Sequence, residues 1–365
     1  MSVSTKEEKI KFLKRVEQPN TMQVVSGLLT EFGNELDYKE LITKNAHKTG
    51  IVSEQELEEF GRQLYELWYQ EVCDIASGKV VFGDKALDDA KKILANPDYS
   101  SENIAREGFY NIIHHAKFVS LQNFSGFLLD RSQGISEFFL HVNTRRMMRK
   151  DKHKNRDIEC RLYLNVEAKN ITSVASQLFK SCVEQDVALY MKFTSYDLRS
   201  DTLLIYSTYA DAPKYVDIIN NMRKESPELF KNAHKLNPFL GKIDGYIGFG
   251  EEPKCSGHES FTSIRAKALN EIGEEMQSLE DGKLLPKSDS KPSIGERIVG
   301  VFKNIKDQIV HAPETVGDKP KDKLIEITKT KFDECNISIT YPCLNASTVK
   351  DLGLGAGSSE EHLPF

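Results

Sequence analysis

The sequence predicts an α+β fold: a helical N-terminal region followed by a largely antiparallel sheet with flanking helices. Two observations carry this reading. Apolar residues recur with a helical period over about the first 130 residues, and from about residue 137 the period changes to two. Beyond that point strands and helices follow in the order strand, helix, strand, strand, helix, which points to an antiparallel sheet with helices packed on it.

In the helical region, Ser53 and Glu56 have the spacing of a capping box. Leu57, Phe60, Leu64, Leu67 and Trp68 then follow the i, i+3, i+4, i+7 pattern of a buried stripe. Residues 87–94 repeat the pattern and stop at Asn96-Pro97. Residues 104–119 predict a further helix. It contains His114 and His115, which a helix would point about 100° apart, so packing explains them better than a shared site.

The β region opens with 137–142 (EFFLHV). A stretch dominated by Arg, Lys and His follows at 143–156. It is either a solvated hairpin loop or an electropositive lip for an anionic substrate. Residues 159–166 (ECRLYLNV) alternate, with Leu162, Leu164 and Val166 on one side and Arg161, Tyr163 and Asn165 on the other. A helix is predicted over 171–185, strands over 187–193 and 202–207, and a helix over 212–224. Near residue 245, GYIGFGEEP contains GxxGxG. No strand feeds a helix there, and Glu251-Glu252 would repel phosphate, so it does not read as a nucleotide loop. Helices over 260–276, 294–309 and 323–334 complete the chain, with a polar linker at 280–292. The expected division is a helical region at 1–130, an α+β domain at 131–350 and a disordered tail at 351–365.

With 39% hydrophobic and 28% charged residues, the chain has the composition of a soluble globular protein. A net charge of -6 argues against a general nucleic-acid binder. No apolar run approaches the roughly 18 residues that span a bilayer. The N-terminus has no apolar core of the kind a secretory signal needs. The six cysteines form no CxxC pair and no zinc-site spacing, so they read as reduced thiols of a cytoplasmic protein, and neither metal nor cofactor is expected. The opening Ser-Val-Ser-Thr is also compatible with secretion as an effector.

Chemistry concentrates on one sheet face. Lys192 interrupts an apolar strand, Arg161 and Tyr163 occupy the polar side of the preceding strand, and His141 stands opposite in phase to Phe138, Leu140 and Val142. Arg199 and Asp201 follow Lys192 closely. Such a face is either solvated or a site. As a site its parts suit β-elimination. Clustered cations favour a neutral lysine able to act as a base, arginines bind phosphate bidentately, and a histidine can protonate a leaving oxygen.

The run CRLYLNVEAKNITSVASQLFKSCVEQDVALYMKFTSYDLRSDTLLIYS resembles the central signature of the HopA-type effector and lyase family. That signature is an Arg-x-Tyr-x-Asn strand, a helix, a Lys strand, an Arg-x-Asp turn and a strand ending in Tyr. GYIGFGEEPKCSGHESFTSIRAKAL resembles the family's Gly-rich, acidic-Pro, Ser-Phe and Arg segment, and ISITYPCLNAS its closing Pro-x-Leu-Asn element. Together these segments cover roughly residues 137 to 350.

The resemblance implies a metal-independent lyase that eliminates phosphate from phosphoserine or phosphothreonine of a precursor peptide, as in class V lanthipeptide biosynthesis. The product is dehydroalanine or dehydrobutyrine. A separate kinase resembling aminoglycoside phosphotransferases would supply the phosphate. It further implies Lys192 as general base, Arg199 and Arg265 on phosphate, and Arg161 in either a structural or a phosphate role. His141 is the implied general acid, Asp201 the partner of Arg199, Tyr206 a pocket wall, and Glu252 a holder of an arginine. Two positions depart from the family pattern: Cys343 within Pro342-Cys343-Leu344-Asn345, and Thr262 after Ser260-Phe261. The competing expectation is a non-catalytic effector or peptide-binding module of the same fold.

Overall fold

The computed structural model describes residues 4–31, 38, 42, 54–79, 81, 84–97, 130–133, 138–143, 158–185, 187–194, 200–230, 236–254, 259–281 and 319–354. In chain order the elements are α1 (Lys6–Leu13), α2 (Thr21–Glu31), α3 (Glu54–Ala76), α4 (Asp84–Ala95), β1 (Asp130–Gln133), β2 (Phe138–Asn143) and β3 (Cys160–Leu164). Then come α5 (Ala168–Glu184), β4 (Tyr190–Thr194), β5 (Leu203–Ser207), α6 (Ala212–Glu225) and a 3-10 turn at Pro227–Phe230. The remainder is β6 (Gly241–Ile243), β7 (Ile247–Glu251), α7 (Phe261–Asp281), α8 (Lys319–Glu334) and α9 (Ala346–Leu352). This is an α+β fold: an N-terminal helical stretch, then a five-stranded antiparallel sheet flanked by further helices. The chain divides into two compact units. One comprises Met1–Thr5 and Asn45–His234, the other Lys6–Lys44 and Lys235–Phe365.

The first unit holds the sheet, in the order β1-β2-β4-β5-β3 with antiparallel neighbours throughout. Antiparallel strands need only tight connections, and the short link from β4 to β5 fits that. One face is apolar. Leu162, Leu164, Met191, Phe193, Leu203 and Ile205 are all essentially buried. Helix α5 presents a single buried stripe, because Ile171, Val174, Ala175, Leu178, Phe179 and Cys182 fall at i, i+3, i+4, i+7, i+8 and i+11. Each large apolar side chain so buried contributes about 1.5–3 kcal/mol, against the entropy of ordering it. Helix α3 packs beside α5, and its Phe60 meets Phe193 of β4 edge-to-face at 5.2 Å. Phe60 is the one predicted α3 stripe residue whose side chain is described, and it is buried as expected.

Helix α6 starts with Pro213 in its first turn and ends on Arg223 and Lys224, where cations offset the helix dipole. Its buried residues Ala212, Tyr215, Val216, Ile219 and Met222 follow the helical period. At the N-terminus, Ser4 is bonded to Glu159 through both its amide and its hydroxyl, and its oxygen accepts the Ala210 amide at 3.0 Å.

The second unit is built on the β6–β7 hairpin. Asp244 and Gly245 both have positive φ (52° and 78°), the signature of the mirror-image turn that suits strand twist. Glu17 extends the hairpin by exchanging two 2.8 Å backbone bonds with Lys242. Of the glycines that sequence reading weighed as a nucleotide loop, Gly245 makes the turn and Gly250 makes room for packing: a Cβ on Gly250 would lie 2.6 Å from the buried Phe261 ring. Phe12 of α1 meets Phe249 at 5.3 Å, and α7 packs against α8 and α2.

The predicted elements at 104–119 and 294–309, the basic stretch at 144–156, and His114 and His115 lie outside the described residues.

Thr202 closes the end of the β3–β5 ladder. Its fully buried hydroxyl accepts the Val166 amide at 2.6 Å and donates to the Leu164 carbonyl at 3.1 Å. Thr202→Val keeps the shape but orphans both groups, so unfolding free energy should fall by about 1–3 kcal/mol in urea titration. An unchanged midpoint would show that the ladder end is not under this constraint.

Candidate functional site

Strand register assembles the candidate residues. On β2 and β4, His141 and Lys192 are direct cross-strand partners. The row continues from Lys192 to Leu204 on β5 and from Leu204 to Tyr163 on β3, and Asp130 of β1 pairs with His141. In the adjacent row Asn143 pairs with Tyr190, and Tyr206 with Arg161. Cross-strand Cα atoms stand about 4.5–5.5 Å apart, so residues far apart in sequence become neighbours. For His141 the backbone position is described and the side chain is not.

The second row is bound by its side chains. The rings of Tyr190 and Tyr206 stack at 4.4 Å with 22° between planes. The Arg161 guanidinium carbon lies 5.2 Å from the Tyr206 ring centroid and Lys192 Nζ lies 6.0 Å from it. Two cations therefore share one aromatic ring. Such a contact contributes about 0.5–2 kcal/mol, more as water is excluded. Arg161, Tyr163 and Asn165 are 8%, 2% and 3% exposed, so this side of β3 is not a solvated face. Lys192, Tyr190 and Tyr206 are half-buried, with access between interior and solvent. A guanidinium lying over a ring presents its N–H edges sideways, the geometry that suits a phosphate.

Asp201 is buried, next to Thr202 at the start of β5. Its expected partner Arg199 lies outside the described residues.

Arg265 is in the second unit, on α7. It is 2% exposed, and its guanidinium lies 3.4 Å from the Phe261 ring centroid. Its Nε and Nη2 donate to the Pro342 carbonyl at 2.9 and 2.6 Å, and Nη1 donates to the Phe261 carbonyl at 3.0 Å. A phosphate at Arg265 would compete with these bonds.

The acidic-Pro and Leu-Asn segments singled out in the sequence hold each other. Buried Glu251 accepts the Asn345 amide at 2.7 Å and the Thr348 hydroxyl at 2.6 Å, with Lys254 Nζ at 3.8 Å. The Asn345 side chain donates to the Glu252 carbonyl at 2.9 Å and accepts the Lys254 amide at 3.3 Å. Burial raises the Glu251 carboxyl above its usual range, partly offset by the hydrogen bonds from Thr348 and Asn345 and by the Lys254 charge. Sequence reading treated Glu251 only as a charge that would repel phosphate. The usable signal was its position at the end of an apolar strand, where a carboxylate needs a partner.

A cavity of about 450 Å³ lies between α3 and α5, lined by Glu59, Gln63, Ser176 and Lys180 among others, with Phe60 in its wall. It contains none of the candidate residues and sits on the helical side of β4. Burial pushes the Cys182 and Cys343 thiols up to about 12, which leaves them un-ionised and poor nucleophiles. Among the described residues no three His, Cys, Asp or Glu side chains come together as metal ligands would, and no helix is long and apolar enough to cross a membrane.

The chain aligns over 89% of its length with 97% of the effector protein from Pseudomonas syringae pv. tomato strain DC3000, at 13% identity and a TM-score of 0.43. It aligns over the same shares with the effector protein from Pseudomonas syringae pv. syringae strain 61, at 13% identity and a TM-score of 0.38. No family model and no curated protein matches the sequence.

Two measurements test these assignments. Arg265→Ala leaves buried carbonyls without donors and should lower unfolding free energy by about 3 kcal/mol or more. Weaker phosphate binding with unchanged stability would instead restore a phosphate role. For Glu251, the folded carboxyl titrates above the unfolded one. Between those values the native state binds the extra proton, so this group adds stability as pH falls through its folded pKa. Glu251→Gln can accept the Asn345 amide and donate to the Thr348 hydroxyl, and with no proton to lose it should remove that slope. Urea midpoints of the two proteins should diverge between pH 7 and the ordinary carboxylate range, and parallel curves would exclude the effect.

Proposed function

We propose that the first unit carries a phosphopeptide lyase of the HopA type, which eliminates phosphate from phosphoserine or phosphothreonine. The observation that supports it is the β2–β4 register: His141 and Lys192, the acid and base the resemblance implies, are direct cross-strand partners. Arg161 flanks Lys192 across the Tyr206 ring.

In the reaction the neutral Lys192 amine takes the Cα proton of the phosphorylated residue. The electron pair forms the Cα=Cβ double bond as the Cβ–O bond breaks. His141 in its protonated form donates to the departing oxygen, so hydrogen phosphate leaves beside dehydroalanine or dehydrobutyrine. Arg161 and Arg199 hold the phosphate, and Asp201 orients Arg199. Arg265 stays outside the step because its donors serve the Pro342 and Phe261 carbonyls. The residues that act are cations, an imidazole and hydrogen-bond donors, and no step calls on a metal. The substrate is a precursor peptide phosphorylated by a separate kinase, in a bacterial cytoplasm.

Intact-mass spectrometry on a phosphoserine or phosphothreonine peptide tests this. Loss of about 98 Da, with an alkene that a thiol traps, is the expected result. Lys192→Ala should cut the rate by about 1,000-fold while circular dichroism stays unchanged. Loss of only about 80 Da would make the protein a phosphatase. No change on a well-matched peptide would favour a non-catalytic peptide-binding module.

A further inference from the structure

We propose that Asp130 is the positioning residue of the general acid: from the register position opposite His141, its carboxylate keeps the imidazole protonated while Lys192 stays neutral. The inference rests on the lyase reading of the same face.

Register is the first support. Asp130 of β1 pairs with His141 of β2, and His141 pairs with Lys192 of β4, so the three stand in one row on one face of the sheet. Arg131, the partner of Leu140, belongs to the other face. Tyr190, two residues from Lys192, is the remaining titratable group that the described residues of β1, β2 and β4 place on this face. Composition is the second support. Among the described residues of the five strands, Asp130 is the one carboxylate, and it stands opposite the one histidine.

The chemistry needs such a group. A lysine and a histidine side by side compete for one proton, and their ordinary pKa values, about 10.4 and about 6.5, give it to the lysine. Elimination needs the opposite arrangement, with the amine neutral and the imidazole charged. A charged imidazole and the nearby arginines lower the lysine, and a carboxylate beside the imidazole raises the histidine. Adjacent strands lie about 4.8 Å apart, and the order is β1-β2-β4. Asp130 is therefore one strand spacing from His141 and two from Lys192. Attraction falls with distance, so the carboxylate favours a proton on the imidazole about twice as strongly as one on the amine. Screening by salt widens that difference. A carboxylate that accepts one ring N–H also leaves the other to face the departing oxygen.

The experiment titrates the full-length parent, Asp130→Asn and Asp130→Glu by NMR with isotope-labelled histidine. The His141 signal is the one of nine that His141→Gln loses. Elimination from a phosphoserine peptide is read on the same proteins, with thermal midpoints as the folding control. Asp130→Asn should lower the His141 titration midpoint by about 1 pH unit and kcat by about 10-fold, and Asp130→Glu should keep both near the parent. Asp130→Ser carries the test if Asp130→Asn does not fold. A purely structural role would lower the thermal midpoint and leave the imidazole titration where it was. That unmoved titration would overturn the proposal and leave Asp130 as a charge that guards a sheet edge. Parent-like kcat in Asp130→Asn would overturn it too. If the parent eliminates nothing, the lyase reading fails and the titration alone decides. A His141 midpoint that drops in Asp130→Asn and holds in Asp130→Glu supports the pairing; one that stays put in both overturns it.

Discussion

Everything at the candidate site depends on the antiparallel register of β2, β4, β5 and β3. Side chains alternate across a strand, so a one-residue slip of β4 would turn Lys192 toward the helices and put Phe193 in its place. The slip is prevented from the apolar side. Met191 and Phe193 on β4, Leu203 and Ile205 on β5, and Leu162 and Leu164 on β3 are buried, and Phe193 abuts Phe60 of α3. The polar face is therefore positioned by the packing of the opposite one. Losing the burial of even two of these residues would cost about 3–6 kcal/mol, comparable with the whole stability of a typical domain.

The second unit answers a similar constraint with polar groups. Burying a carboxylate or a guanidinium is costly unless its hydrogen bonds are satisfied. Glu251 and Arg265 meet that condition by bonding to Asn345, Thr348 and the Pro342 carbonyl. These contacts tie the 341–348 segment to β7 and α7. Cys343, one of the two positions that depart from the pattern, is fully buried and hydrogen-bonds to Gln18.

Much of the fold was legible because its signals are local. The stripe of α5 and the alternation of 159–166 follow from side-chain periodicity, which needs no knowledge of partners. The β6–β7 hairpin was missed although Asp244-Gly245 carried the turn signal, because its strands are too short to show alternation. For the site, residue type and phase placed Lys192, Arg161 and Tyr163 on the polar side of their strands, whereas Tyr206 entered only through the resemblance. The Tyr190–Tyr206 stack and the sharing of one ring by two cations did not follow, because cross-strand distance depends on register.

The sequence by itself determined the fold class, the main elements and the side of each strand that carries charge, since all three are set within a few residues of chain. Tertiary structure alone decided that His141 stands opposite Lys192. It also decided that Arg161 is buried beside Tyr206 rather than solvated, and that Arg265 spends its donors on carbonyls of its own unit. It joined residues 6–44 with 235–365 in one compact unit. The physical reason is common to all of these. Pairing between distant segments is selected by the burial and hydrogen bonding of the assembled chain, and no local pattern encodes which distant group will satisfy a buried donor or charge.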